Sequence, residues 1–112
     1  MRAITRDALR ARIENGDDIV VVEALPASYW EEGHLPGAGN LPHDADDATI
    51  ASVLPDRDAT VVVYCANTAC QNSTVLARRL DALGYTRVYE YGEGKQDWVE
   101  AGLPLESVAR TP

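Results

Sequence analysis

The chain has 112 residues, 46% of them hydrophobic, the length of one domain with enough apolar material for a core that needs no staples. Its 18 acidic residues against 10 basic ones leave a formal charge of -8, which excludes the basic face that nucleic-acid phosphates require. No apolar stretch reaches the ~18 residues of a membrane helix. Residues 1–12 mix charged and apolar side chains without a secretion-signal core, so the expected location is cytoplasmic, with no membrane partner.

No repeat, low-complexity tract or linker divides the chain, and residues 1–112 read as a single domain. Thr5 reads as the N-cap of a first helix, Leu9 and Ile13 as its apolar face, and Asn15-Gly16 as its stop. The run Ile19-Val20-Val21-Val22 is a strand buried on both faces. Pro26 opens a short helix over 27–32, and Gly33 to Ala38 carry the punctuation of a loop. A short strand is expected at 40–42, ending at its proline, and a helix at 46–54, closed by Pro55. Thr60-Val61-Val62-Val63-Tyr64 is the second buried strand, with Cys65 at its carboxyl end. After a loop comes a helix over 73–83 with Val75, Leu76, Leu80 and Leu83 on one side, capped by Gly84. A strand at 87–91, a turn at 92–94 and a helix at 95–101 complete the pattern. Strands alternating with helices predict an α/β fold with three α/β/α layers and a mostly parallel, five-stranded sheet.

The chemistry concentrates at Cys65. Ligands of open α/β sheets sit beyond the carboxyl ends of the strands, and Cys65 occupies such an end. The loop that follows leads into a helix N-terminus, where free amides and the helix dipole favour a negative charge. Such a cradle favours a thiolate nucleophile and would hold a persulfide anion by the same amides. An inert core cysteine is the plain alternative. The strand end, the polar loop and the helix together favour the functional reading.

Three segments carry a family likeness. Val62-Val63-Tyr64-Cys65, followed by a loop, Ser73 and a helix ending Leu83-Gly84-Tyr85, resembles the active-site segment of rhodanese domains. Glu31-Glu32-Gly33-His34-Leu35-Pro36-Gly37-Ala38-Gly39-Asn40-Leu41-Pro42 resembles the family's N-terminal signature, and Gly92-Glu93-Gly94-Lys95-Gln96-Asp97-Trp98-Val99-Glu100-Ala101-Gly102-Leu103-Pro104 its C-terminal one. They fall in the family's order and cover nearly the whole chain. The resemblance implies a rhodanese-like fold and transfer of sulfane sulfur: a small-molecule donor, thiosulfate or a persulfide, gives sulfur to Cys65, and a thiophilic acceptor removes it.

The chain departs from that pattern in its loop. Ser73 lies eight positions after Cys65, a longer spacing than is usual in the family. The loop Ala66, Asn67, Thr68, Ala69, Cys70, Gln71, Asn72 and Ser73, expected to bind the transferred sulfur, contains a second cysteine and no Lys or Arg. The Arg that often follows the first buried strand is absent, since Glu23, Ala24 and Leu25 stand there. The longer loop is similar to that of dual-specificity phosphatases, but that chemistry needs an Arg six positions after the Cys to clamp the anion. Position 71 is Gln, so phosphatase activity is excluded.

Cys70 is read first as a small residue pinning the loop to the core. The chemical alternatives are a resolving thiol, or the sulfur acceptor itself. Cys65, Cys70, His34 and His43 could form a four-ligand zinc site, but the cysteine spacing is at the edge of the usual range and His34 belongs to the rhodanese-like turn, so neither metal nor cofactor is expected. Gly92-Glu93-Gly94-Lys95 lacks the pattern of a phosphate loop. Lys95 and Trp98 are candidates for the pocket rim, Lys95 as a source of the positive charge missing from the loop. Trp98, Trp30 and Tyr29 read first as packing residues, any of which could instead edge the pocket mouth, and the plain reading of Lys95 is a solvated surface lysine. Two other functions compete: a non-catalytic binding module using the same pocket, and a thiol-redox domain using Cys65 and Cys70.

Overall fold

The computed structural model describes residues 1–108. In chain order the elements are β1 (Arg2–Ala3), α1 (Arg6–Glu14), β2 (Ile19–Glu23), α2 (Ala27–Glu32), β3 (Gly39–Asn40), α3 (Asp47–Val53), β4 (Thr60–Tyr64), α4 (Asn72–Ala82), β5 (Arg87–Tyr91) and α5 (Gly94–Glu100). The sheet order is β1-β5-β4-β2-β3, and every pairing is parallel.

The two β-branched runs form the sheet centre. β2 and β4 pair along their whole length, from Ile19 opposite Thr60 to Glu23 opposite Tyr64. Successive side chains point to opposite faces, so β4 feeds two cores. Val61 and Val63 join Val22, Ile50, Leu76 and Leu80 on the face covered by α3 and α4. Val62 and Tyr64 join Leu9, Val21, Tyr91 and Trp98 on the face covered by α1 and α5. Residues 61–64 have no solvent exposure at all. Burying each valine contributes about 1.5–3 kcal/mol, and this is why the β-branched runs end up at the centre.

Local signals explain the helices. Thr5 accepts from the amide of Ala8 at 3.2 Å and Asp46 from that of Thr49 at 2.8 Å, capping α1 and α3. The Asp46 carboxyl is held below the usual carboxylate range, first by the Thr49 side chain and then by that bond from the Thr49 amide.

Two sequence expectations need correction. The N-terminal strand β1 was not foreseen, because two residues are too short to show a period; it exists by pairing Arg2 with Tyr89 and Ala3 with Glu90. On α4 the buried side is Ser73, Leu76, Ala77 and Leu80, while Val75 is exposed. Those four recur at i, i+3, i+4 and i+7, and Val75 lies about 100° around the helix from Leu76.

Candidate active site around Cys65

The strand order sets the location. From β2 the chain crosses outward to β3, and from β4 it crosses in the other direction to β5. The reversal falls between β2 and β4, where an open parallel sheet leaves a crevice at its carboxyl edge. Cys65 follows the last residue of β4 there and is 1% exposed.

The loop after Cys65 is built on Asn67. The Asn67 side-chain oxygen accepts from the amide of Ala69 at 3.0 Å, and its carbonyl accepts from the amide of Cys70 at 3.2 Å. This turn brings the Cα atoms of Cys65 and Cys70 to 6.2 Å, and the two side chains form a disulfide. The packing role expected for Cys70 is thereby corrected: its sulfur is covalently joined to Cys65. Spacing could not decide this, because whether residues five apart meet depends on how the turn folds. In this state Cys65 carries no thiolate, and the site is an oxidised dithiol.

The other loop residues distribute as follows. Ala66, Asn67, Cys70 and Asn72 are half-buried, Thr68, Ala69 and Gln71 are exposed, and Ser73 is buried. α4 begins at Asn72 with Gln71 as its cap residue, without a side-chain cap. The first-turn amides of any helix lack intrahelical partners, so α4 directs free donors toward the loop. The hydroxyl groups of Ser73 and Thr74 both donate to Oε2 of Glu90 on β5, each at 2.7 Å. They fasten the start of α4 to the sheet. Glu90 was not singled out from the sequence; its signal is its place in β5 facing the adjacent Ser73-Thr74 pair.

Behind the loop lies α5. The amides of Lys95 and Gln96 donate to the carbonyls of Cys65 and Ala66 at 2.9 and 2.8 Å. Gly94 permits this approach. Its φ is +76°, and a Cβ there would stand 2.7 Å from the Cys65 carbonyl oxygen and 2.8 Å from the Asn67 nitrogen.

The Lys95 side chain turns to a buried cluster. Its ammonium is 2.9 Å from Oε1 of Glu23 and donates to the carbonyls of Gly33 at 2.7 Å and Tyr29 at 3.3 Å. Tyr64 donates to the same Glu23 oxygen at 2.9 Å and accepts from the amide of Leu35 at 3.0 Å. Glu23 is fully buried, and its Oε2 has no hydrogen-bond partner. Burial, followed by the charge of Glu23, pushes the Tyr64 hydroxyl far above the usual tyrosine range. The Lys95 charge is therefore neutralised by Glu23.

Next to the loop, a cleft of about 460 Å³ is bordered by Tyr29, Gly33, Ala66, Asn67, Lys95 and Leu105, among others. Trp98 does not border it, so its first reading as a packing residue stands and the alternative place on the rim is corrected. Trp98 is 2% exposed in the core, and its indole N–H donates to the Pro104 carbonyl at 2.9 Å. Trp30 stacks on His34 with ring centroids 4.2 Å apart, and His34 Nδ1 lies 2.7 Å from the Trp30 carbonyl.

The Rhodanese-like domain family model matches residues 5–101. The chain belongs to the rhodanese-like family. This rhodanese-like domain is 33% identical over 107 residues to "HTH-type transcriptional regulator Rv0324" of Mycobacterium tuberculosis, covering 96% of the chain and 46% of the regulator. It therefore spans less than half the length of that relative. It is 28% identical over 102 residues to "Sulfurtransferase" of Allochromatium vinosum, covering 91% of the chain and 92% of the relative. Among solved structures, the rhodanese-like domain of the Anabaena Alr3790 protein superposes with a TM-score of 0.81 at 26% identity. That match covers 100% of this rhodanese-like domain and 85% of the solved chain. No described helix is long and apolar enough to cross a membrane.

Proposed function

We propose that the protein is a sulfurtransferase that moves sulfane sulfur from thiosulfate or a persulfide donor to a thiophilic acceptor through a persulfide on Cys65. The observation that carries this reading is the position of Cys65. It follows the last residue of β4 at the crevice where the connections diverge and begins a loop that runs into the N-terminus of α4. The family membership and a relative bearing the name sulfurtransferase support it.

The chemistry begins with reduction of the Cys65–Cys70 disulfide by two thiol groups, which are themselves joined as a disulfide. The Cys65 thiolate then attacks the sulfane sulfur of the donor. A new sulfur–sulfur bond forms on Cys65, and the donor's own bond breaks, its leaving group departing with the electron pair. Amides of the first turn of α4, and those of the loop other than the Ala69 and Cys70 amides that Asn67 engages, hold the negative charge of the persulfide. An acceptor nucleophile then takes the outer sulfur and restores the Cys65 thiolate.

The test is mass spectrometry of the reduced protein after exposure to a donor. A gain of one sulfur atom on Cys65, absent in Cys65→Ser, is expected. A folded Cys65→Ser variant that transfers sulfur as well as the parent would refute the reading. A protein that takes up no sulfur and catalyses no transfer would instead fit a binding module.

A further inference from the structure

We infer that Cys70 is a resolving thiol, which gives the domain a second activity: reduction of its own persulfide to release sulfide. This rests on the proposed persulfide at Cys65. Two independent constraints hold Cys70 against Cys65. The Asn67 turn fixes the loop from one side, through the bonds to the amides of Ala69 and Cys70. The anchoring of Ser73 and Thr74 on Glu90 fixes it from the other. The resulting Cα separation of 6.2 Å lies in the range that disulfides occupy, and the sulfurs are bonded.

A sulfur atom added to Cys65 extends beyond Sγ and leaves Sγ itself beside Cys70. The Cys65–Cys70 bond is the one that attack at that inner sulfur would form. The Cys70 thiolate forms a bond to Cys65 Sγ, the bond from Sγ to the sulfane sulfur breaks, and hydrosulfide leaves with the electron pair. The two cysteines are oxidised by two electrons to the disulfide, and the sulfane sulfur is reduced to sulfide. No external oxidant enters. A dithiol reductant closes the cycle by two exchanges with the disulfide and is itself oxidised. The partner this chemistry calls for is therefore a protein or small-molecule dithiol, and resolution competes with delivery of sulfur to an acceptor.

The probe is benzenethiosulfonate, a singly charged donor that leaves benzenesulfinate and contains no sulfide. Protein is reduced, freed of reductant and incubated anaerobically with no more than one equivalent of donor, so that released sulfide is not consumed by unreacted donor, and the end point is read by sulfide assay and intact mass. The parent protein is expected to release stoichiometric sulfide and to finish as the disulfide, two hydrogens lighter than the dithiol. Cys70→Ser, repeated as Cys70→Ala, is expected to keep one added sulfur on Cys65 and lose sulfide release. If the parent also keeps the added sulfur and releases no sulfide, resolution by Cys70 is overturned and the Cys65 persulfide stands. Disulfide without sulfide overturns the inference as well, since the electrons then went elsewhere. If none of the proteins takes up sulfur or releases sulfide, both the persulfide reading and this inference fail.

Discussion

Gly94 lies against the backbone of Cys65 so closely that a Cβ on Gly94 would stand 2.7 Å from the Cys65 carbonyl oxygen. The contact is with backbone on both sides, so no side-chain rotation relieves it. It also sits at a positive φ of +76°, where an L side chain is strained whatever the space. Gly94→Ala is expected to lower stability by about 1–3 kcal/mol. It should also slow sulfur loading on Cys65 by displacing the loop. Gly92→Ala is the control, because a Cβ there meets nothing within 4 Å. Chemical denaturation and loading kinetics of both variants check this; equal behaviour of the two would remove Gly94 from its role.

The Lys95–Glu23 pair is buried on the carboxylate side and nearly so on the other, with side-chain exposures of 0% and 16%. Removing the lysine leaves a charged carboxylate without its counter-ion. Lys95→Met is expected to destabilise the fold by about 3–5 kcal/mol. The double variant Lys95→Met with Glu23→Gln should recover much of the loss, because the neutral amide can still accept from Tyr64. Denaturant midpoints of the single and double variants form a cycle that measures the coupling.

The Tyr64 hydroxyl must stay protonated to donate to Glu23. Its folded-state value is raised above the unfolded one by burial and by the neighbouring carboxylate. Its contribution to stability is therefore fully present below the ordinary tyrosine value of about pH 10 and is lost as the pH rises past it. Tyr64→Phe also leaves the Leu35 amide without its acceptor and should cost about 1–3 kcal/mol at neutral pH. The variant should fall less steeply than the parent in alkaline solution. Unfolding free energies measured from neutral to alkaline pH test both statements.

The field around the loop disfavours doubly charged donors. The loop contains no basic side chain, Lys95 is paired with Glu23, and Glu90 places a carboxylate under the start of α4. The whole chain adds a net charge of -8. Thiosulfate, a dianion, is expected to be a weaker donor than a persulfide of a small thiol. Its kcat/KM should rise relative to the persulfide's as salt screens the repulsion. Glu90→Gln should shift the ratio in the same direction. Thiosulfate being the better donor at low salt would contradict this account.

The two central strands could be read from sequence because consecutive β-branched residues have few other uses, and both became central strands of one parallel sheet, buried except at their first residues. Cys65 could be singled out for the same reason: the residue after such a strand stands at the edge where ligands bind. Glu90 and Gly94 could not. Each acts through a partner distant in sequence, Ser73 with Thr74 in one case and the Cys65 carbonyl in the other. For Trp98 the sequence left packing, its first reading, and the cleft rim both open, and the helical turn directs it inward to the Pro104 carbonyl.

The amino-acid order by itself determined the layered α/β class, the strand that ends at Cys65, and the family. These depend on local periodicity and on short motifs, which persist in one dimension. Only the tertiary structure decided that Cys70 bonds to Cys65, and that Lys95 faces Glu23 instead of lending its charge to the loop. Both outcomes depend on the path of a turn and on the packing of α5 against β2 and β4. Contacts of that kind depend on the relative placement of whole elements, which no local pattern encodes.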